Sequence, residues 1–198
     1  MNRVFLTEEL PLPAVSVKEV MRYMGQGTED GRVREMIQKE APTVKEALAP
    51  MAVLRTVPIT VTDSRVDFGF AAAESRALAK CLMGCRSAAI TVATVGVEAD
   101  RQIRRASLSS PARGLCLSAL FSERVERVMD LVEAAVKEEH PQLRPRFSPG
   151  YGDLSLALER EIFAFLDCPR RIGVSLTEGL LMVPTKSVCA IVGILGEE

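Results

Sequence analysis

The segment 112–139 constrains the fold more than any other. Leu115, Leu117, Leu120, Val125, Val128, Leu131, Val132 and Val136 recur there at helical spacing as one apolar face, and Pro141 ends the pattern. A helix of that length and patterning needs other elements to cover its face. The flanking sequence supplies strands. Residues 51–63, MAVLRTVPITVTD, are rich in β-branched side chains and read as a strand, with Pro58 marking an edge or a bulge. Residues 65–70 read as a second short strand, 73–82 as helix, and 88–95 (AAITVATV) as a continuous apolar run of core-strand type. A helix over 97–106 opens just after Gly96, another covers 155–166, and the tail alternates strand-like IGVSLTE, GLLMVP and KSVCAIVGI. Helices and strands do not alternate strictly, which predicts an α+β fold with an antiparallel or mixed sheet.

Residues 1–50 read as an N-terminal helical arm joined to a main domain over 51–198, the two forming one structural unit. Ser16 followed by Glu19 is a capping box, after which Val17, Val20, Met21 and Met24 recur at helical spacing. Gly25 and Gly27 stop that helix. A second runs over 28–48 with Val33, Met36, Ile37, Val44, Ala47 and Leu48 on its buried face, and Pro42 kinks or divides it.

Several function classes drop out. Lys and Arg total 25 against 26 Asp and Glu, so no global positive field recruits nucleic acid or an acidic membrane. The chain lacks Trp and has two Tyr, little material for stacking bases. The start, MNRVFLTEELPLP, has no signal-peptide core, and no run approaches the roughly 20 apolar residues of a membrane span. A cytoplasmic protein is expected. Its five cysteines read as reduced thiols, mostly buried. Cys81 and Cys85, four apart, are expected to share a helix face and pack in the core, since 86–92 offers no third cysteine for a cluster. His140 is the single histidine, which argues against a Ser-His-Asp triad or a multi-histidine metal site. It reads as a solvated helix end. There is no P-loop pattern, and TVGVEAD has one glycine where a dinucleotide fingerprint needs three. No catalytic or metal-binding residue is assigned.

The informative segment is RFSPGYGD, within the Pro/Gly-rich loop 141–153. Pro145 and Pro149 stiffen it, and Gly150 permits positive φ or close backbone approach. Arg146 offers a planar fork for a carboxylate, and Tyr151 an aromatic face for a cation. Together they suit an amino-acid-like ligand with a positive centre. On the residues alone, a rigid structural loop with an exposed arginine and a half-buried tyrosine stands as the alternative.

RFSPGYGD resembles the Arg-x-x-x-Gly-Tyr signature of the activation domain of cobalamin-dependent methionine synthase. It is followed at the family's spacing by GVSLTEGLLMVPTKSVCAIVGI, and VPITVTDSRVDFG, AAITVATVG and LSALFSERVERVMDLVE resemble stretches of its free-standing members. The resemblance spans residues 15–195. It implies a C-shaped α+β domain that binds S-adenosylmethionine. That ligand remethylates a cobalamin which has been oxidised and then reduced by flavodoxin or another electron donor.

Carried over by position, Arg146 would hold the methionine carboxylate, Gly150 and Tyr151 would lie near the sulfonium, and the main chain around Ser148 would face the adenine. Glu126 matches an acidic ligand-binding residue. The long form's N-terminal acidic ligand residue has no match in 1–30, and the loop continues Gly-Tyr-Gly-Asp where the long form has Gly-Tyr-Pro. The family's cobalamin motif, Asp-x-His-x-x-Gly, is absent, so cobalamin is expected only through a partner, a methionine synthase lacking its own activation domain. The implied role is an accessory of methionine biosynthesis and reductive reactivation, not catalytic alone. The alternatives are a component of another corrinoid methyltransferase system with the same fold, and a structural subunit that has lost the ligand.

Overall fold

A computed structural model describes residues 1–25 and 30–196. Its centre is a four-stranded sheet of order β1-β2-β6-β9, antiparallel throughout. The strands are β1 (Asn2–Phe5), β2 (Met51–Pro58), β6 (Cys85–Thr94) and β9 (Ser187–Leu195). Both faces of this sheet are buried. Ala52, Leu54, Ala89, Ala93, Ala190, Val192 and Ile194 point into one core. Val53, Val57, Ala88, Ile90, Val92, Cys189 and Ile191 point into the other. Two-sided burial explains why 88–95 is continuously apolar although the sheet is antiparallel.

The first core is covered by α1 (Val17–Tyr23), α2 (Gly31–Ala47), α4 (Glu98–Ser109) and α5 (Pro111–Glu139). The long amphipathic segment is α5, started by the Ser110 side chain accepting from Arg113 N–H with Pro111 in its first turn. Leu117, Leu120, Val125, Val128, Val132 and Val136 are buried as expected, and Leu131 is partly so. Leu115 is not: it is 52% exposed, because α5 turns that position away from the sheet. Gly114 explains how close α4 comes. A Cβ there would meet the Ser107 Oγ at 2.1 Å. Truncating a fully buried side chain of this face, such as Leu120 or Met129, to Ala would cost about 2–5 kcal/mol.

The second core lies under a small sheet, β3 (Thr60–Val61), β4 (Arg65–Asp67) and β5 (Ala72–Glu74), together with α3 (Arg76–Leu82), α6 (Leu158–Leu166) and α7 (Cys168–Ile172). β7 (Ser175–Leu176) and β8 (Met182–Val183) form a separate hairpin.

Several expectations need correction. The strand over 51–63 breaks at Pro58, where the chain leaves the large sheet for the small one. The strand over 65–70 shrinks to Arg65–Asp67, because Gly69 turns the chain with φ of 79°. Residues 73 and 74 are strand, not helix, and Ser75 caps α3 by accepting from Leu78 N–H. The helix over 155–166 begins only at Leu158. Cys81 and Cys85 do not share a helix: α3 ends at Leu82, Gly84 turns at φ of 80°, and Cys85 opens β6. All five thiols are free, Cys81 partly exposed and the other four buried.

At the N-terminus the unforeseen element is β1, which pairs with β2 from Asn2↔Arg55 to Phe5↔Ala52. The Ser16 side chain accepts from Glu19 N–H at 3.4 Å, but Ser16 N–H donates to Glu123 of α5 at 3.2 Å, so the capping box is only half formed. The helix α2 continues through Pro42 undivided, with Ile37, Val44 and Ala47 buried and Val33, Met36 and Leu48 partly so. Gly27 and the expected start at Thr28 lie outside the described residues. Among the described residues no helix is long and apolar enough to cross a membrane.

Candidate functional site

The loop after α5 is stitched to the free edge of β9. Arg144 N–H donates to Gly193 O at 2.8 Å, and Phe147 and Ile191 exchange two backbone bonds of 2.8 Å. This pairing presents Arg146 on the side of α5. Its guanidinium donates to Glu126 at 2.8 Å, Asp130 at 3.0 Å and Glu133 at 2.8 Å. The three carboxylates sit one turn apart along one stripe of α5. Arg146 is 29% exposed and its three partners lie between 28% and 38%, so the cluster borders solvent. Burial opposes the guanidinium charge, yet bonding to Glu133 and the other carboxylates outweighs it and holds the group above its ordinary range.

Beyond Arg146 the loop closes on itself. Tyr151 N–H donates to Ser148 O at 3.1 Å, and Gly150 N–H donates to Leu154 O at 3.0 Å. Gly150 takes φ of 87°, a conformation that its lack of a Cβ permits. Tyr151 is 71% exposed, not half buried. Asp153 then fixes the loop exit. Its carboxylate accepts from Ser75 Oγ, from Arg76 N–H at 2.8 Å and from Ala77 N–H at 3.1 Å, capping α3. Those bonds, led by the Ser75 hydroxyl, hold its pKa below the ordinary value.

The fold thus joins Arg146 to Glu126, with Ser148, Gly150 and Tyr151 in the turn that follows. Asp130 and Glu133 belong to the same cluster and were not singled out. Their signal is present in SERVERVMDLVE, where they stand four and seven residues after Glu126. Lys186 was also missed. It immediately precedes β9 and donates to Ser118 and Ser122, further up α5, at 2.9 Å each, and burial lowers its pKa.

Below the stripe, Glu123 and Arg124 form a buried pair. The Arg124 guanidinium also donates to Pro13 O at 2.6 Å and Ala14 O at 3.4 Å, tying 13–16 to α5. A cleft of about 620 Å³ lies between 12–17 and α2. Its lining shares no residue with the Arg146 cluster, and its buried arginine is already committed to main-chain carbonyls.

Residues 129–195, which hold Arg146 and its turn, match the family model of the vitamin B12 dependent methionine synthase activation domain. The chain carries that family's pattern over those residues. Its fold agrees over a wider range. All of this chain aligns with 79% of the crystal structure of the MetH reactivation domain bound to AdoHcy, with a TM-score of 0.69 and 13% identity. The shared fold therefore reaches beyond the matched residues and takes in the N-terminal helices. No curated protein matches this chain in sequence.

Proposed function

We propose that this chain is a reactivation module that binds S-adenosylmethionine and presents it to a separate cobalamin-dependent methionine synthase. The observation that carries the reading is the convergence of Arg146 with Glu126, Asp130 and Glu133 at a solvent-bordered face. An anion receptor and a set of cation receptors in contact suit a ligand with a carboxylate, an ammonium and a sulfonium. Without ligand they satisfy one another. On binding, the ligand carboxylate takes over Arg146 and its cationic centres take over the carboxylates, so ion pairs are exchanged rather than lost. Ser148, Gly150 and Tyr151 form the wall of that site, and a neighbour solved with AdoHcy bound has the same fold.

The chain's part in the chemistry is positioning. The sulfonium is an activated methyl donor and a partner's reduced cobalt is the nucleophile, so transfer needs alignment rather than a general base. The partner brings the cobalamin, and the electron donor, flavodoxin or another, acts on that partner.

Calorimetric titration of S-adenosylmethionine and S-adenosylhomocysteine into wild type and Arg146→Ala tests the assignment. Both ligands carry the carboxylate, so both should weaken together, by well over tenfold for a loss of about 2–5 kcal/mol. Unchanged binding in Arg146→Ala overturns it.

A further inference from the structure

The Arg146 cluster occupies only part of a longer polar stripe on α5. Ser118, Ser122, Glu126 and Asp130 recur at every fourth residue, so they share one helix face, and each is partly exposed. Arg146 holds the carboxylate half of this stripe. Lys186 holds the serine half, its Nζ donating to Ser118 Oγ and Ser122 Oγ at 2.9 Å each. The backbone there is fixed from two sides. Lys186 O accepts from Val95 N–H at 3.2 Å, and the preceding Thr185 N–H donates to Asp100 of α4 at 2.9 Å. The fold thus delivers a second cation to the same face, one turn beyond Glu126.

Unlike Arg146, this cation is held by neutral hydroxyls. An ammonium carries three donors, so one N–H of Lys186 has no acceptor among the described residues. Ser122 donates its hydroxyl proton to Ser118 O at 3.0 Å, whereas the Ser118 hydroxyl proton has no acceptor among the described residues. Two uncommitted donors beside two hydroxyl oxygens suit a neutral, oxygen-rich group. The proposed ligand has such a group at a matching distance. With a rise of about 1.5 Å per residue, Ser122 lies roughly 6 Å along the helix axis from Glu126. The atoms of S-adenosylmethionine from the α-carbon through the sulfonium to the ribose have a comparable reach. We infer that Lys186, with Ser118 and Ser122, binds the ribose hydroxyls of S-adenosylmethionine when its amino-acid end lies against Arg146 and Glu126. The inference rests on the proposed S-adenosylmethionine site and adds residues that the loop motif does not contain.

The test titrates S-adenosylmethionine and an analogue lacking both ribose hydroxyls into wild type, Lys186→Met and Ser118→Ala, with thermal midpoints measured for each. In wild type the analogue should bind roughly tenfold or more weakly, the range expected of a hydrogen bond to a charged group. In Lys186→Met the two ligands should differ by about twofold at most, because the donor that distinguished them is gone. Ser118→Ala should reduce the difference part-way, and it decides the matter by itself if Lys186→Met does not fold. A difference that is the same in the variants as in wild type overturns the inference and marks Lys186 as a clamp between β9 and α5. Equal binding of the two ligands by wild type also overturns it, while leaving the S-adenosylmethionine site intact. A wild type that binds neither ligand instead overturns the underlying site, a result distinguishable from both.

Discussion

The Arg146 guanidinium meets the Glu126 carboxylate at 2.8 Å, joining the loop along the edge of β9 to the middle of α5. Asp130 and Glu133 share the same guanidinium, so one cation holds three carboxylates together on one helix face.

Removing that cation should therefore be felt even without ligand. Arg146→Ala leaves Glu126 and Glu133 without their cation one turn either side of Asp130, which keeps Arg127 at 2.7 Å. The groups border solvent, so screening limits the loss to about 1 kcal/mol. Urea denaturation at low and high salt measures it, and the deficit should shrink as salt rises. A deficit independent of salt would mean that packing, rather than charge, binds Arg146 to α5.

Tyr151, being 71% exposed, is expected to act on ligand and not on stability. Tyr151→Leu should leave the thermal midpoint near wild type. It should weaken S-adenosylmethionine by about 0.5–2 kcal/mol beyond S-adenosylhomocysteine, which lacks the sulfonium. Equal losses measured for the two by calorimetry would leave the ring as a neutral wall.

Asp153 anchors the site loop without belonging to the charge cluster. Asp153→Ala deprives Ser75 Oγ and the N–H groups of Arg76 and Ala77 of their acceptor. The thermal midpoint should fall by a few degrees, and S-adenosylmethionine should bind more weakly because the turn 148–153 loses its fixed exit. If both quantities match wild type, the cap does not position the loop.

Glu159 makes stability depend on pH. It is 3% exposed, one carboxylate oxygen lacks a hydrogen-bond partner, and burial pushes its pKa from 4.5 up to about 7. Between those values the folded chain keeps a proton that the unfolded chain has released. Stability therefore falls as pH rises through that window, by about 3 kcal/mol in all, and stays low above it. Glu159→Gln should flatten this decline and be more stable than wild type above pH 7. Parallel pH profiles of the two proteins in chemical denaturation would remove Glu159 as the source.

Much of this was legible in the chain itself. The spacing of Leu117, Leu120, Val125, Val128, Val132 and Val136 identifies α5, because helical period and apolar character survive in any tertiary setting. The run 88–95 identifies β6, and the prolines and glycines of 141–153 identify the site loop. Local signals failed where a longer-range contact competed. The Ser16 N–H serves Glu123 instead of completing its own capping box. Residues 73 and 74 pair with β4 before α3 begins, and Cys85 joins β6 instead of extending α3. Nothing local marks Asn2–Phe5 as the edge strand of the main sheet, since its pairing depends wholly on β2.

The candidate site divides in the same way. Sequence alone determined which residue types were available: a forked cation at Arg146, an aromatic ring at Tyr151 and carboxylates at intervals along a helix. Their meeting was decided only by the tertiary structure. The backbone bonds of Phe147 to Ile191 set Arg146 against Glu126, Asp130 and Glu133, and the anchoring of 13–16 on Glu123 and Arg124 docks the N-terminal segment on the same helix. Spacing along the chain fixes neighbours within one helix or strand. Charges drawn from two separate segments, a loop and a helix, come together only once two buried cores have determined how those segments pack.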